Sequence, residues 1–281
     1  MQSLTLNFGG RLVELRRPAV MGIVNATPDS FFSGSRAAGS RAGERAAMLV
    51  SQGADIIDVG AYSTRPGADA VDADTEYDRL AEALEAIRRV CGEDLPLSID
   101  TFRASVADRC IRSFGPVMIN DVGGTTLDAA IGEVAASHHV PYVLMHMRGT
   151  PATMGTLTDY EDVVAEVIED LARKADTLHQ SGVADIIIDP GFGFAKTTGQ
   201  NYRLLGAIPA FRRMGMPVLV GISRKTMIWK PLGIKPDEAL NGTTVLNTIA
   251  LMEGADILRV HDVTEAVQAR RLVGLWRENN C

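Results

Sequence analysis

The chain has 281 residues, 46% of them hydrophobic, which is enough to build a large core and excludes a disordered protein. Its 28 basic and 35 acidic residues leave a net charge of −7, so neither nucleic acid nor an anionic membrane is expected as a partner, and an anionic substrate must be held by local positive groups. Three scattered cysteines, Cys91, Cys110 and Cys281, make neither a metal cluster nor a disulfide framework. No basic-then-apolar leader opens the chain, and no apolar run approaches the roughly 20 residues that span a bilayer, so a cytoplasmic location is expected.

In chain order, residues 4–15 hold two alternating runs around Gly9-Gly10, the pattern of a β-hairpin. Eight nearly unbroken apolar runs follow, at 19–24, 55–59, 96–99, 117–119, 141–145, 186–188, 217–220 and 257–260, as expected of parallel strands buried on both faces. The intervening stretches read as helices. Tyr77, Leu80, Leu84 and Ile87 share one face. Thr158 and Glu161 resemble a capping box ahead of Val163, Val164, Val167, Ile168 and Leu171. Pro236 reads as a helix opening before Asp237 and Glu238, and Asp262 with Glu265 as another. Eight strand–helix units predict an α/β fold: a (β/α)8 TIM barrel in one domain, residues 1–281, with the hairpin closing its bottom. A doubly wound sheet is the alternative; no Gly-rich dinucleotide fingerprint follows the first strand, which counts against it.

In a barrel of this kind the chemistry lies at the C-terminal strand ends. Every predicted strand ends on a polar or charged group, which stability alone does not explain. Asp100, Asn120, Asp189 and Lys225 follow strands three, four, six and seven. Carboxylates and an amide can bind a heterocycle with a guanidine-like edge, and Lys225 can donate to a ring nitrogen or carbonyl. Asn25, Arg65, Arg259 and His261 form a second set. Arg65 and Arg259 are forked donors suited to phosphate oxygens, His261 stands at a predicted helix start, and Asn25 offers an oxygen to a hard cation such as Mg2+. Blander readings stand beside these. Asp29 and Asp121 read equally well as helix caps, and Asp58 as a structural support for its loop. His138 and His139 read as surface residues, Met145 also as barrel packing, and His146 as either core or site.

These stretches resemble dihydropteroate synthase over nearly the whole chain. The first match is Asn25-Ala26-Thr27-Pro28-Asp29-Ser30-Phe31, and the second is residues 58–67 with Ser63-Thr64-Arg65-Pro66-Gly67. Further matches are Ser98-Ile99-Asp100-Thr101, Ile119-Asn120-Asp121, Asp189-Pro190-Gly191-Phe192-Gly193-Phe194, Ser223-Arg224-Lys225 and Arg259-Val260-His261-Asp262. The resemblance implies a transferase of folate synthesis that joins 6-hydroxymethyl-7,8-dihydropterin pyrophosphate to para-aminobenzoate. It implies pterin binding by Asp100, Asn120, Met145, Asp189, Phe194 and Lys225. It implies pyrophosphate binding by Asn25, Arg65, Arg259 and His261, with Mg2+ at Asn25. It places para-aminobenzoate at Phe31, Thr64, Pro66, Ser223 and Lys225. Asp100, Asp189, Lys225 and Arg259 are the catalytic residues it implies.

It also implies a homodimer through late helices, and sulfonamide sensitivity, because residues 63–67 carry no insertion that would exclude such a drug. The loops at 27–38 and 61–71, rich in Gly, Ser and Pro, are expected to close over the second substrate. Two departures stand out. Phe32-Ser33 follows Phe31 where the family carries Asp two residues on, and Ala61-Tyr62 replaces the common Gly-Glu. The alternatives are a pterin-dependent methyltransferase on the same barrel, which needs no pyrophosphate pocket, and a catalytically silent pterin-binding homologue.

Overall fold

The computed structural model describes residues 3–26, 35–62, 71–150 and 152–280. Strands β1 (Ser3–Phe8) and β2 (Arg11–Arg16) pair antiparallel. Gly9 and Gly10 turn the hairpin at φ of +62° and +94°, the left-handed pair that a tight turn of this hand needs. The Asn7 N–H donates to the Asp185 carboxylate at 2.6 Å, and the Gly9 N–H to the His139 carbonyl at 2.9 Å. Both acceptors lie just ahead of barrel strands, so the hairpin is fastened to the N-terminal end of the barrel.

The barrel strands are β3 (Ala19–Asn25), β4 (Ile56–Gly60), β5 (Leu97–Asp100), β6 (Met118–Asp121), β7 (Tyr142–Met145), β8 (Ile186–Asp189), β9 (Leu219–Val220) and β10 (Ile257–Val260). They run parallel in the order β8-β7-β6-β5-β4-β3-β10-β9. A parallel bridge between Ile188 and Val218 joins the two ends. The expected barrel is therefore the fold, and the closure rules out the doubly wound alternative.

The pleat decides what each strand residue does. Leu4, Leu6, Phe8 and Leu15 of the hairpin pack on Met21, Ile56, Met118, Val143, Ile187 and Ile257, which line the barrel floor. The residues between them, such as Val20, Ile57, Ile119, Leu144, Ile188 and Leu258, belong to the shell under the helices. Two residues beyond the floor the inward positions become Asp58, Asn120, Met145, Asp189 and Arg259, because alternate side chains share a face.

The helices on the outside are α1 (Ser35–Ser51), α2 (Ala73–Cys91), α3 (Ala104–Phe114), α4 (Ile131–His138), α5 (Val163–Gln180), α6 (Thr198–Gly206), α7 (Ile208–Arg212), α8 (Thr226–Leu232), α9 (Leu240–Glu253) and α10 (Val263–Asn280). Helix α2 buries Leu80, Leu84 and Ile87 as its periodicity predicts. Two expected helix starts are corrected. The N-cap of α5 is Asp162, whose carboxylate accepts from the Val164 and Ala165 N–H groups while Glu166 accepts from the Asp162 N–H; no Thr158–Glu161 box forms. The carboxylate adjoining the first apolar residue takes the cap. Pro236 opens only a short 3-10 turn, Pro236–Glu238, and α9 begins at Leu240. The last helix begins directly after Asp262, as expected. Among the described residues no helix is long and apolar enough to cross a membrane.

Candidate active site

At the C-terminal mouth the inward positions form one charged network. Arg259 Nε donates to Asp58 Oδ2 at 2.6 Å, and Arg259 Nη2 to Asp100 Oδ2 at 2.7 Å. Asn120 Nδ2 donates to the same Asp58 oxygen at 3.1 Å, and among the described residues the fully buried Asp58 Oδ1 has no partner. Gly60, inward on β4, lies against Asp100: a Cβ there would meet the Asp100 Cβ at 3.4 Å, an ordinary contact. Burial pushes the Asp100 carboxyl up to about 7, against the pull of Arg259. Burial lowers the Arg259 guanidinium, and Asp58 and Asp100 together more than reverse this.

Asp189 and Lys225 complete the ring. Burial raises the Asp189 carboxyl and lowers the Lys225 ammonium to about 8, each opposed by the other's charge. Asp189 Oδ1 accepts from the Gly191 N–H at 2.8 Å, and Lys225 Nζ donates to the Phe192 carbonyl at 2.5 Å. Lys225 Nζ also stands 4.8 Å from the Phe194 ring centre. Met145 is buried in a cluster with Val122, Met147, Met154 and Ala195, against which Phe194 packs. The mouth therefore offers paired acceptors and donors beside a soft apolar wall, which suits a flat polar heterocycle.

The anion side is partly assembled. Ser223 Oγ accepts from the His261 N–H at 3.2 Å and lies 3.0 Å from His261 Nδ1. The hydroxyl can give or take the proton shared with Nδ1, and in either case the pair holds the imidazole in place. Burial, then Arg259, lowers the His261 pKa to about 4, so the ring is neutral rather than a cation. Arg224 grips Asp262 through two bonds, 2.6 and 3.0 Å, and fixes the β9 loop to the start of α10. Asn25 is exposed at the end of β3.

The structure thus brings together Asp100, Asn120, Met145, Asp189, Phe194 and Lys225. Arg259, assigned by sequence to the anion set, reaches into the carboxylates, so the two expected sub-sites meet at its guanidinium. The Ser223 hydroxyl pairs with His261. Asp29, Phe31, Thr64, Arg65 and Pro66, with most of the two loops expected to close, lie outside the described residues.

Asp121 faces away from the mouth and accepts from the Gly123 and Thr125 N–H groups, which settles it as a loop support. His138 bonds Asp108 at 2.8 Å, while His139 is exposed. His146 is buried behind the mouth against Lys196. Sequence reasoning undervalued Asp58, whose signal is its spacing of two from the floor residue Ile56, and passed over Lys196.

Residues 21–261 match the family described as pterin binding enzyme. The chain belongs to the pterin-binding enzyme family. Its relatives place it among the dihydropteroate synthases, as the resemblance implied. It is 43% identical over 267 residues to the dihydropteroate synthase of Synechocystis, covering 93% of this chain and 91% of that protein. The Yersinia pestis dihydropteroate synthase, solved in complex with a sulfonamide drug, superposes with a TM-score of 0.90 at 36% identity, over 98% of this chain and all of the other. The Xanthomonas albilineans dihydropteroate synthase, solved with 4-aminobenzoic acid, superposes with a TM-score of 0.89 at 38% identity, over 98% and 99% of the two chains.

Proposed function

We propose that this chain condenses 6-hydroxymethyl-7,8-dihydropterin pyrophosphate with para-aminobenzoate to give 7,8-dihydropteroate and pyrophosphate. The observation that carries this reading is Arg259, which joins the carboxylate set of the mouth to the anion side. In this reading the pterin lies among Asp100, Asn120, Asp189 and Lys225, with Met145 and Phe194 along its ring. Asn25, Arg65, Arg259 and His261 take the pyrophosphate. Arg259 stabilises charge on the departing group, while Asp100 and Asp189 disperse positive charge left on the pterin methylene. The amine of para-aminobenzoate, held by Phe31, Thr64, Pro66, Ser223 and Lys225, attacks that carbon. On this reading the same pocket takes sulfonamides, since such drugs imitate the second substrate.

We infer Mg2+ with the pyrophosphate. Among the described residues no group of three His, Cys, Asp or Glu is placed to hold a metal by itself. A single exposed amide at Asn25 fits a cation that keeps waters and takes phosphate oxygens. When bound, it neutralises leaving-group charge. The reading includes a cytoplasmic location, where Cys91 and Cys110 stay reduced. It also includes a homodimer through α9 and α10, which expose Val245, Ile249 and Met252 and Leu272, Leu275 and Trp276.

The test is a coupled assay of pyrophosphate release. Release should require both the pterin pyrophosphate and para-aminobenzoate. Release at the same rate without para-aminobenzoate, or none with both, would reject the reading. Methyl transfer from a reduced folate would favour the methyltransferase on the same barrel, which has no use for the Ser223–His261 pair.

A further inference from the structure

We propose that Lys196 is a positioning residue for pterin binding, the buried amine on whose hydrogen bonds the loop after β8 is folded; the proposal rests on the synthase reading above. Lys196 is buried, 9% exposed, and its hydrogen-bond partners are backbone carbonyls and the His146 ring rather than the side chains assigned to the substrates. Its Nζ donates to the Gly191 carbonyl and the Phe194 carbonyl, each at 2.9 Å, and lies 3.0 Å from His146 Nδ1. The ammonium therefore ties two points of one loop to the end of the neighbouring strand, β7. Burial lowers its pKa to about 7 against the attraction of Asp189, and burial with Lys196 beside it drives His146 down to about 2. The ring is then neutral and free to accept.

The loop needs such a fixed point. Gly191, Gly193 and Ala195 all have left-handed backbones, at φ of +73°, +80° and +49°. A non-glycine residue stays there only when its surroundings hold it. At Gly191 a Cβ would lie 2.0 Å from the His146 carbonyl oxygen, so the loop sits directly on the end of β7. This same loop supplies the Phe192 carbonyl to Lys225, the Gly191 N–H to Asp189, and the Phe194 ring beside Lys225. Three groups of the pterin pocket are thus set by a backbone that Lys196 organises. A compact ammonium with three donors suits three acceptors converging on one point.

The variant to make is Lys196→Met, which keeps length and volume but removes charge and donors. Removing the donor leaves the Gly191 and Phe194 carbonyls and the His146 ring unpaired, so thermal unfolding of the variant is recorded alongside binding. Titration with 6-hydroxymethyl-7,8-dihydropterin pyrophosphate should show its Kd raised at least about tenfold, the loss of roughly one such hydrogen bond to a charged group. The KM for para-aminobenzoate at saturating pterin should change less than the pterin Kd, because of its assigned contacts only Lys225 is held by this loop. Lys196→Arg, which keeps charge and donors, should recover part of the affinity. Amide exchange should quicken at Gly193 and Phe194 but not in the barrel strands.

An unchanged Kd in folded Lys196→Met overturns the proposal. So do equal losses for both substrates with exchange raised throughout the strands. Should the methionine variant not fold, Lys196→Gln is read the same way. A wild-type chain that binds no pterin pyrophosphate overturns the synthase reading and this proposal together, which separates the two failures.

Discussion

Asp100 and Lys225 sit in the same buried mouth, one pushed up to about 7 and the other pulled down to about 8. Pterin binding needs Asp100 as a carboxylate acceptor and Lys225 as an ammonium donor. Below about 7 Asp100 of the free enzyme holds a proton, and above about 8 Lys225 loses one. The kcat/KM for the pterin substrate should therefore rise with pH through the first value and fall through the second. The two limbs belong to the coupled set that includes Arg259, not to isolated groups. Asp100→Asn should abolish the rising limb and spare the falling one; a wild-type profile flat between about pH 6 and pH 9 would contradict the assignment.

Asp100, Asn120, Asp189 and Lys225 were legible in the sequence because strand ends are easy to find. Facing was harder. Asp58 lies two residues after Ile56 and points inward, whereas Asp121 lies three after Met118 and points out, a distinction that appears only once the floor residues are known. Lys196 was not legible at all, since its role depends on carbonyl directions in a left-handed loop.

Among the elements, the hairpin has the clearest energetic duty. Phe8 is 3% exposed and packs with Met21, Met118 and Ile187 on the barrel floor, far from the charged mouth. Phe8→Ala should cost about 3–5 kcal/mol from lost burial and the cavity left behind. Thermal unfolding should show a Tm lower by roughly 5–15 °C, with kcat/KM unchanged below the transition. Lost activity at unchanged Tm would contradict the division between floor and mouth. The hairpin was readable because Gly9-Gly10 and strict alternation both mark it. The start of α5 was misread because Asp162, immediately ahead of Val163, competes better for the free N–H groups than Thr158 does.

At the scale of the whole molecule, eight buried strands in consecutive order follow from eight apolar runs, while the closing bridge at Ile188–Val218 is a tertiary fact that no local pattern encodes. The surface carries a second message. Val245, Ile249 and Met252 share one face of α9, and Leu272, Leu275 and Trp276 one face of α10, all exposed. The two helices pack against each other. Leu272→Asp combined with Trp276→Glu should convert the inferred dimer to a monomer in sedimentation analysis; a wild-type chain that sediments as a monomer would contradict the inference. The assignment of the inward groups of the mouth to a pterin can be tested in the crystal. A crystal structure with 6-hydroxymethyl-7,8-dihydropterin pyrophosphate tests it most directly. Ring density is expected among Asp100, Asn120, Asp189 and Lys225, with the pyrophosphate toward Arg259 and His261; a ligand bound elsewhere, with the Asp58–Arg259–Asp100 network undisturbed and the mouth empty, would contradict the assignment.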